Sequence, residues 1–523
     1  MKRHTPAWLE SAVFYEIYPQ SFSDTNGDGI GDIPGIIDKL EYIKSLGVNA
    51  IWLNPCFVSP FMDAGYDVAD YYTVAPRYGT NSDLKRLFRL AREKGIRIFL
   101  DLVPGHTSIE HPWFKESCKH ERNRYSDWFI WSPNVWTGGK QYIHGYAERD
   151  GNYMINFFWC QPKLNFGFDK PSKDEPWRQL HSAPGPTAVR AEFKKIIRYW
   201  LDMGASGFRV DMALSLGTAF WKEVRAMLDK EYPDAALVSE ASNPDRSIPV
   251  GFHMDFLAHF GCPVFNALMR SNITYNVPWK MNGAYFSRHA KGDAKRALDE
   301  YMRLYRTTKS MGFLSLQSSN HDMPRLRDDR TFDECAVALA FIMTMPGVPF
   351  LYYGDEIGMK DVKGLVSKEG AYNRASCRTP MQWDSSKNAG FSTAAPDKLY
   401  FPIDPDRNRP TVAAQDATQR SLLNTTRALT ALRKSSPALC ASGSLEFLYL
   451  KRETYPLVYL RSKGRERILV AVNPSGRSAA AAFTLPKTSR VQKLLLGKDA
   501  KLGIKGRKAM LTLAPTAYAI YAI

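Results

Sequence analysis

Residues 96–103 read Ile-Arg-Ile-Phe-Leu-Asp-Leu-Val, a compact apolar run that ends in polar residues, as a buried strand does. Just before it, Asn81 to Lys94 sets Leu84, Leu87, Leu90 and Ala91 on one helical face, with Ser82 as a candidate cap. The same helix-then-strand unit recurs as 187–203 then 207–211, 217–230 then 236–240, 293–309 then 313–318, and 333–344 then 348–353, with another strand at 48–54. Such repetition over about 430 residues implies a parallel sheet with helices outside it. The count favours a closed (β/α)8 TIM barrel over an open sheet, although periodicity alone does not separate the two.

Two stretches depart from this rhythm. From His106 to Asp174 the chain is rich in Trp, Tyr, Asn, Gly and Pro and shows no helical stripe, as expected of a subdomain inserted after strand three. Past residue 438 the helical pattern ends. Runs such as 445–450, 457–460, 468–472 and 517–523 then suggest an antiparallel β-sandwich. The expected organisation is thus a barrel over 1–105 and 175–438, an insert over 106–174, and a C-terminal domain over 439–523.

The chain has 523 residues with 44% hydrophobic and 24% charged composition, which excludes a largely disordered or collagenous protein. Seventy Lys and Arg against 53 Asp and Glu give a net charge of +17, which first suggests a polyanionic partner. From Cys440 onward, however, 15 cations face four acids, so that +11 lies in the last 84 residues and only +6 in the rest. No nucleic-acid partner is expected, because the tail cations are spread among alternating apolar residues as on the solvent face of a sandwich. Neither a signal-like apolar run nor a membrane-length stretch is visible, and the seven cysteines show no C-x-x-C spacing, so a reduced, cytoplasmic setting is expected. Gly27-Asp-Gly-Ile-Gly31 lacks a strand-to-helix context, and no organic cofactor is indicated.

In a βα barrel, functional groups sit where strands end. The strand ends here read Asp101-Leu-Val-Pro-Gly-His106, Gly207-Phe-Arg209-Val-Asp211, Val238-Ser-Glu240 and Ser319-Asn-His321-Asp322. Four carboxylates, two histidines and an arginine converging on one face suit glycoside cleavage, which needs one ionised and one protonated carboxyl group. Arg209, two residues before Asp211 on the same strand face, is expected to keep Asp211 ionised. Glu240 follows the apolar run Ala235-Ala-Leu-Val238, which favours its protonated form.

This ordered set resembles the sequence regions of the α-amylase superfamily, glycoside hydrolase family 13, supported by 347–356, Arg378-Thr-Pro-Met-Gln-Trp-Asp384 and Asn388-Ala-Gly-Phe391. The similarity runs from about Trp8 to Leu439. It implies a retaining double displacement with Asp211 as nucleophile, Glu240 as acid/base and Asp322 as the third carboxylate. His106 and His321 would donate to the glucose ring, with Asp101 and Arg209 in support. Asp63 and Tyr66, in Asp63-Ala-Gly-Tyr66, resemble the residues that close the pocket of exo-acting α-glucosidases over the non-reducing sugar. Arg378, or nearby Arg374, would contact the acceptor side.

Where many family members carry Asn before the first-region histidine and use it to hold calcium, this chain has Gly105, so that calcium site is expected to be absent. Another loop, Asp24-Thr-Asn26-Gly-Asp28-Gly-Ile30-Gly-Asp32, spaces oxygen ligands at alternate residues with glycines for the turn. It predicts a structural Ca2+ or Mg2+ site, in agreement with oligo-1,6-glucosidase-like relatives. Gln161-Pro-Lys-Leu-Asn165 combines the first residue of the glucosidase pattern with the lysine of the neopullulanase pattern and leaves the linkage open. The expected activity is hydrolysis of short α-glucosides from the non-reducing end. The alternatives are transfer or isomerisation, as in trehalose synthases or sucrose-processing enzymes, and a non-catalytic carbohydrate-binding homologue.

Overall fold

The computed structural model describes residues 4–257, 262–270, 283–370 and 373–523. Eight parallel strands form its centre: β1 Phe14–Ile17, β2 Ala50–Leu53, β3 Arg97–Leu102, β4 Gly207–Val210, β5 Ala236–Ser239, β6 Met254–Phe256, β7 Phe313–Ser315 and β8 Phe350–Tyr352. They are hydrogen-bonded in the order β7-β6-β5-β4-β3-β2-β1-β8. Just past β7, Gln317 bridges in parallel to Phe350, and Phe350 N donates to Leu316 O at 2.9 Å, which brings the two ends of the sheet together as a barrel.

Helices cover the outside because each carries one apolar stripe. Helix α1 (Ile33–Asp38) and α2 (Leu40–Ser45) follow β1, and α3 (Asn81–Glu93) follows β2. The cap of α3 is Thr80 and not Ser82: Thr80 Oγ1 accepts from Asp83 N while Asp83 Oδ2 accepts from Thr80 N at 2.9 Å. Asp83 lies three residues beyond Thr80, the spacing that a reciprocal capping box requires. Helix α4 (Pro184–Met203) starts earlier than its apolar periodicity suggests because Pro184 and Pro186 suit a first turn that lacks N–H partners. Next come α5 (Thr218–Glu231), α6 (Pro244–Val250), α7 (Pro263–Met269), α8 (Lys295–Thr308), α9 (Phe332–Thr344) and α10 (Leu422–Ser435).

Strand alternation sorts the core into two layers. Outward residues such as Ile51, Leu53, Ile98, Leu100, Phe208 and Val210 pack under the helices. The inward residues Phe14, Ala50, Trp52, Phe99, Ala236, Val238, Met254, Phe256 and Phe350 fill the barrel as a second cluster. Phe14 stacks on Phe350 at 4.3 Å and meets Phe99 edge-on at 4.9 Å. Gly207 completes this plug, since a Cβ there would lie 2.1 Å from Ala236 O and 2.6 Å from the Phe99 ring. Two residues beyond the plug on β1 to β5 stand Glu16, Asn54, Asp101, Arg209 and Glu240, so the apolar floor dictates which polar groups face the mouth.

The chain between β3 and α4 contains a short helix, Pro112–Ser117, and a two-stranded hairpin, Tyr142–Ile143 with Tyr153–Met154. Bridges from His106 to Lys163 and from Phe129 to Leu164 fold it back over the mouth. Beyond α10, strands β9 Ser444–Tyr449, β10 Leu457–Lys463, β11 Glu466–Asn473, β12 Ala479–Thr484, β13 Lys493–Gly497, β14 Ala500–Lys505, β15 Lys508–Leu513 and β16 Ala517–Ala522 build two antiparallel sheets. Their orders are β9-β10-β11-β16-β13 and β12-β15-β14. Buried Arg461 ties this domain to the barrel by donating to Thr344 O, and it also holds the start of the domain at Cys440 O (2.8 Å) and Gly443 O (3.1 Å). Among the described residues no helix is long and apolar enough to cross a membrane.

Candidate active site

Three of the four carboxylates predicted from the strand ends come together around one guanidinium. Arg209, buried in the barrel, contacts Asp101 Oδ1 at 2.8 Å, Asp211 Oδ1 at 3.2 Å and Glu240 Oε2 at 2.7 Å. Its charge also lies 5.0 Å from the centre of the Trp52 ring, a cation–π arrangement that replaces lost water. Trp52 Nε1 and the Tyr66 hydroxyl both donate to Asp101 Oδ2, at 3.1 and 3.0 Å. Burial pushes the Asp101 carboxyl up to about 6 against the pull of Arg209.

The electrostatics of Asp211 differ from the simple pairing expected from sequence. Burial is the largest influence and raises its carboxyl well above the usual range; the charge of Glu240 and a hydrogen bond to it add in the same direction, and Arg209 only partly offsets them. One guanidinium shared among three carboxylates cannot compensate each in full. Asp211 therefore keeps its proton to a higher pH than an isolated Asp would. Met212, in the left-handed region at φ 41, turns its N–H onto Glu240 Oε2 at 3.1 Å and so braces the two carboxyl groups together.

Asp322 has the opposite setting. Burial opposes its charge, but His321 and the guanidinium groups of Arg374 and Arg378 hold its carboxyl far below the ordinary range. Burial keeps His321 itself neutral, so the two arginines, at 2.9 and 2.8 Å from Asp322 Oδ1, carry this effect. His321 is enclosed by protein, with Nδ1 2.7 Å from Glu16 Oε1 and Nε2 2.7 Å from the Tyr66 oxygen. The Tyr66 ring stacks on that of His321 at 5.5 Å.

A wall closes one end of the mouth. Asp63 Oδ1 pairs with Arg374 at 2.5 Å while Gln161 Nε2 donates to Asp63 Oδ2 at 2.8 Å. Arg374 thereby bridges Asp63 to Asp322. Asp67 holds the turn beneath, accepting from Met62 N at 2.9 Å and Asp63 N at 3.0 Å. Arg378 is fully buried: besides Asp322 it donates to His321 O at 2.7 Å and pairs with Glu369, so it fixes Asp322 from behind the site. On the far side, His106 Nε2 lies 3.1 Å from Tyr66 O, and Asn156 Nδ2 lies 3.0 Å from His106 Nδ1. Burial lowers His106 to about 4, which keeps it neutral. The glycine at 105 has a local reason, since a Cβ there would fall 2.5 Å from Asn156 Nδ2.

Sequence reasoning missed Glu16, Asn156 and Glu369. Glu16 sits two residues past the plug residue Phe14, a signal that inward alternation on β1 carried; Asn156 and Glu369 lie on irregular segments without such a signal. The Asp24–Asp32 loop forms nested turns in which its ligand-type side chains cap backbone N–H groups. Asp24 accepts from Gly27 N and Gly29 N, both at 2.8 Å, Asn26 from Asp28 N at 2.8 Å, Asp28 from Ile30 N at 2.8 Å, and Asp32 from Gly35 N at 2.7 Å. Among the described residues, no three His, Cys, Asp or Glu side chains gather as a metal cluster. Any cation here would need the Asn26 amide and backbone carbonyls such as Ile30 beside the carboxylates.

Comparisons with known proteins identify the family. The trehalose synthase/amylase TreS of Mycobacterium tuberculosis is 34% identical over 489 residues, covering 84% of this chain and 77% of that protein. The oligo-1,6-glucosidase of Parageobacillus thermoglucosidasius is 30% identical over 554 residues and 92% of each protein. A solved structure of an isomaltulose synthase mutant from Erwinia rhapontici, in complex with its natural substrate sucrose, matches with a TM-score of 0.80 at 26% identity over 99% of each chain. The catalytic domain of alpha-amylase matches residues 16–442, and with three carboxylates at the ends of a parallel barrel this chain is an enzyme of the alpha-amylase family.

Proposed function

We propose that the protein is a retaining α-glucosidase that cleaves short α-glucosides from the non-reducing end. The observation that carries this is the contact of Asp211 and Glu240 with one guanidinium and with each other. Two carboxyl groups gripped by the same guanidinium lie side by side, an arrangement that favours a covalent intermediate over the wider gap that admits a water. The Asp63–Arg374–Asp322 wall supports a pocket for a terminal sugar instead of a through-running cleft.

In the first step the Asp211 carboxylate attacks the anomeric carbon while Glu240 gives its proton to the glycosidic oxygen, and the leaving sugar departs with that proton. This step needs Asp211 ionised and Glu240 protonated. Asp322, ionised by its two arginines, stabilises positive charge on the ring as the bond breaks. Glu240 then removes a proton from water, which attacks the glucosyl-Asp211 ester and releases glucose with its configuration retained. His106, His321 and Tyr66 shape the pocket around the ring.

A second reading, isomerisation or transfer, has a sugar hydroxyl replace that water. The similarity to a trehalose synthase over 84% of the chain and to an isomaltulose synthase over 99% favours it. NMR analysis of products from maltose, isomaltose, sucrose and trehalose separates the two: glucose released first as the α-anomer supports hydrolysis, and a new disaccharide supports isomerisation. An initial β-anomer would contradict retention. We also propose that the Asp24–Asp32 loop holds a structural Ca2+ through Asp24, Asn26, Asp28, the Ile30 carbonyl and Asp32, for which calorimetric titration is the test. The seven unpaired cysteines support a reducing, cytoplasmic setting.

A further inference from the structure

We propose that Asp255, a carboxylate on the outward face of β6, is the positioning residue for Glu240, an assignment that rests on Glu240 being the acid/base. Met254 and Phe256 both belong to the plug inside the barrel, so the residue between them must face the other way. Asp255 is completely buried there, beneath the three residues that follow Glu240. Its Oδ1 accepts from Ala241 N at 3.3 Å and Ser242 N at 3.1 Å. Its Oδ2 accepts from Asn243 N at 3.0 Å and from the Ser247 hydroxyl at 2.6 Å.

That segment cannot hold its shape unaided. Ser242 lies in the left-handed region at φ 48, where the Cβ of a non-glycine residue crowds its own backbone. Helix α6 starts at Pro244 without a side-chain cap from Asn243. One buried carboxylate thus satisfies three consecutive backbone donors and a hydroxyl on the helix, and it locks the strained turn against the helix behind it. A carboxylate accepting several such hydrogen bonds is strongly held, and each lost bond leaves a buried N–H without a partner. On its other side Glu240 is fixed by Arg209 and Met212 N. The chain direction after Glu240 is therefore set by the Asp255 carboxylate, which holds the backbone of residues 241–243. A displacement of about 1 Å there would take the Glu240 proton out of reach of the glycosidic oxygen.

The test uses leaving groups. Breaking a disaccharide requires a proton from Glu240, whereas α-glucosyl fluoride expels fluoride without one, and kcat/KM reports the first bond cleavage for both. Asp255→Asn keeps the volume but turns an N–H group toward backbone donors. In the folded full-length enzyme it should lower kcat/KM about 10- to 100-fold for whichever of maltose, isomaltose, sucrose and trehalose turns over fastest, the scale of general-acid catalysis. For α-glucosyl fluoride it should change kcat/KM less than about threefold. Ser247→Ala, which removes one of the four bonds, should show the same split at smaller size and covers the case in which Asp255→Asn does not fold. An equal fall on both substrates, or no fall on the disaccharide, overturns the proposal. Glu240→Gln serves as the control: if it shows no leaving-group split, the acid role of Glu240 fails, whatever Asp255 does.

Discussion

Arg209, Arg374 and Arg378 at the barrel mouth are buried, and each holds at least two carboxylates. In the C-terminal domain Lys487, Arg490, Lys493, Lys498, Lys501, Lys505 and Lys508 are all exposed, and among the described residues none is ion-paired. The two regions use the same residue types under opposite rules. In the mouth, low dielectric makes an unpaired charge expensive, so every cation is matched and sets the protonation of its neighbours. At those seven exposed positions water screens each charge and nothing demands a partner, so cations accumulate without structural consequence, unlike buried Arg461. Net charge therefore reports the second region and is silent about the first, which is where the chemistry lies.

The sharpest break of this contrast is at the nucleophile. Asp211→Asn should lower turnover by about 10⁴-fold or more while the melting temperature stays within a few degrees; near-wild-type turnover in a contaminant-free preparation would remove Asp211 from the mechanism. Arg209→Leu should be felt in folding, because it strands three buried carboxylates. A loss of roughly 3–5 kcal/mol in urea unfolding is expected, and a loss under 1 kcal/mol would mean that the carboxylates re-pair or take up protons without strain.

A smaller effect concerns pH. Because burial and Glu240 raise Asp211, the nucleophile gains its proton on acidification at a pH above that of an ordinary Asp, so the acid limb of kcat/KM should lie above the usual carboxylate range. Glu240→Gln removes one of the raising influences, and with α-glucosyl fluoride that limb should move to lower pH. A limb that stays put would show that the two groups titrate independently. The smallest effect belongs to the other region. Changing Lys493, Lys501, Lys505 and Lys508 together to Glu should leave kcat and KM within about twofold and stability within about 0.5 kcal/mol per site, as measured by steady-state kinetics and urea unfolding.

Much of this was legible before any coordinates. Apolar runs of period two after amphipathic stretches locate most of the barrel strands, and Asp101, Arg209, Asp211, Glu240, His321 and Asp322 fall where those strands end. Strand β6 escaped because its three residues, Met254–Phe256, are too short for a pattern, and with it went Asp255. Strands β12 and β14 escaped for a different reason: they read Ala-Ala-Ala-Ala-Phe-Thr and Ala-Lys-Leu-Gly-Ile-Lys, with few large apolar residues, so their period is weak. Ser82 was the wrong cap because two hydroxyl residues flank the helix start, and only Thr80 has a carboxylate three residues on.

By itself the sequence determined the family, the parallel barrel and the three carboxylates, since these depend on local periodicity and on residue types at strand ends. Only the tertiary structure decided how charge is shared among them. Which carboxyl keeps a proton depends on burial and on distances between groups as far apart in the chain as Asp63 and Arg374 or Asp101 and Arg209, and no spacing along the sequence encodes those distances.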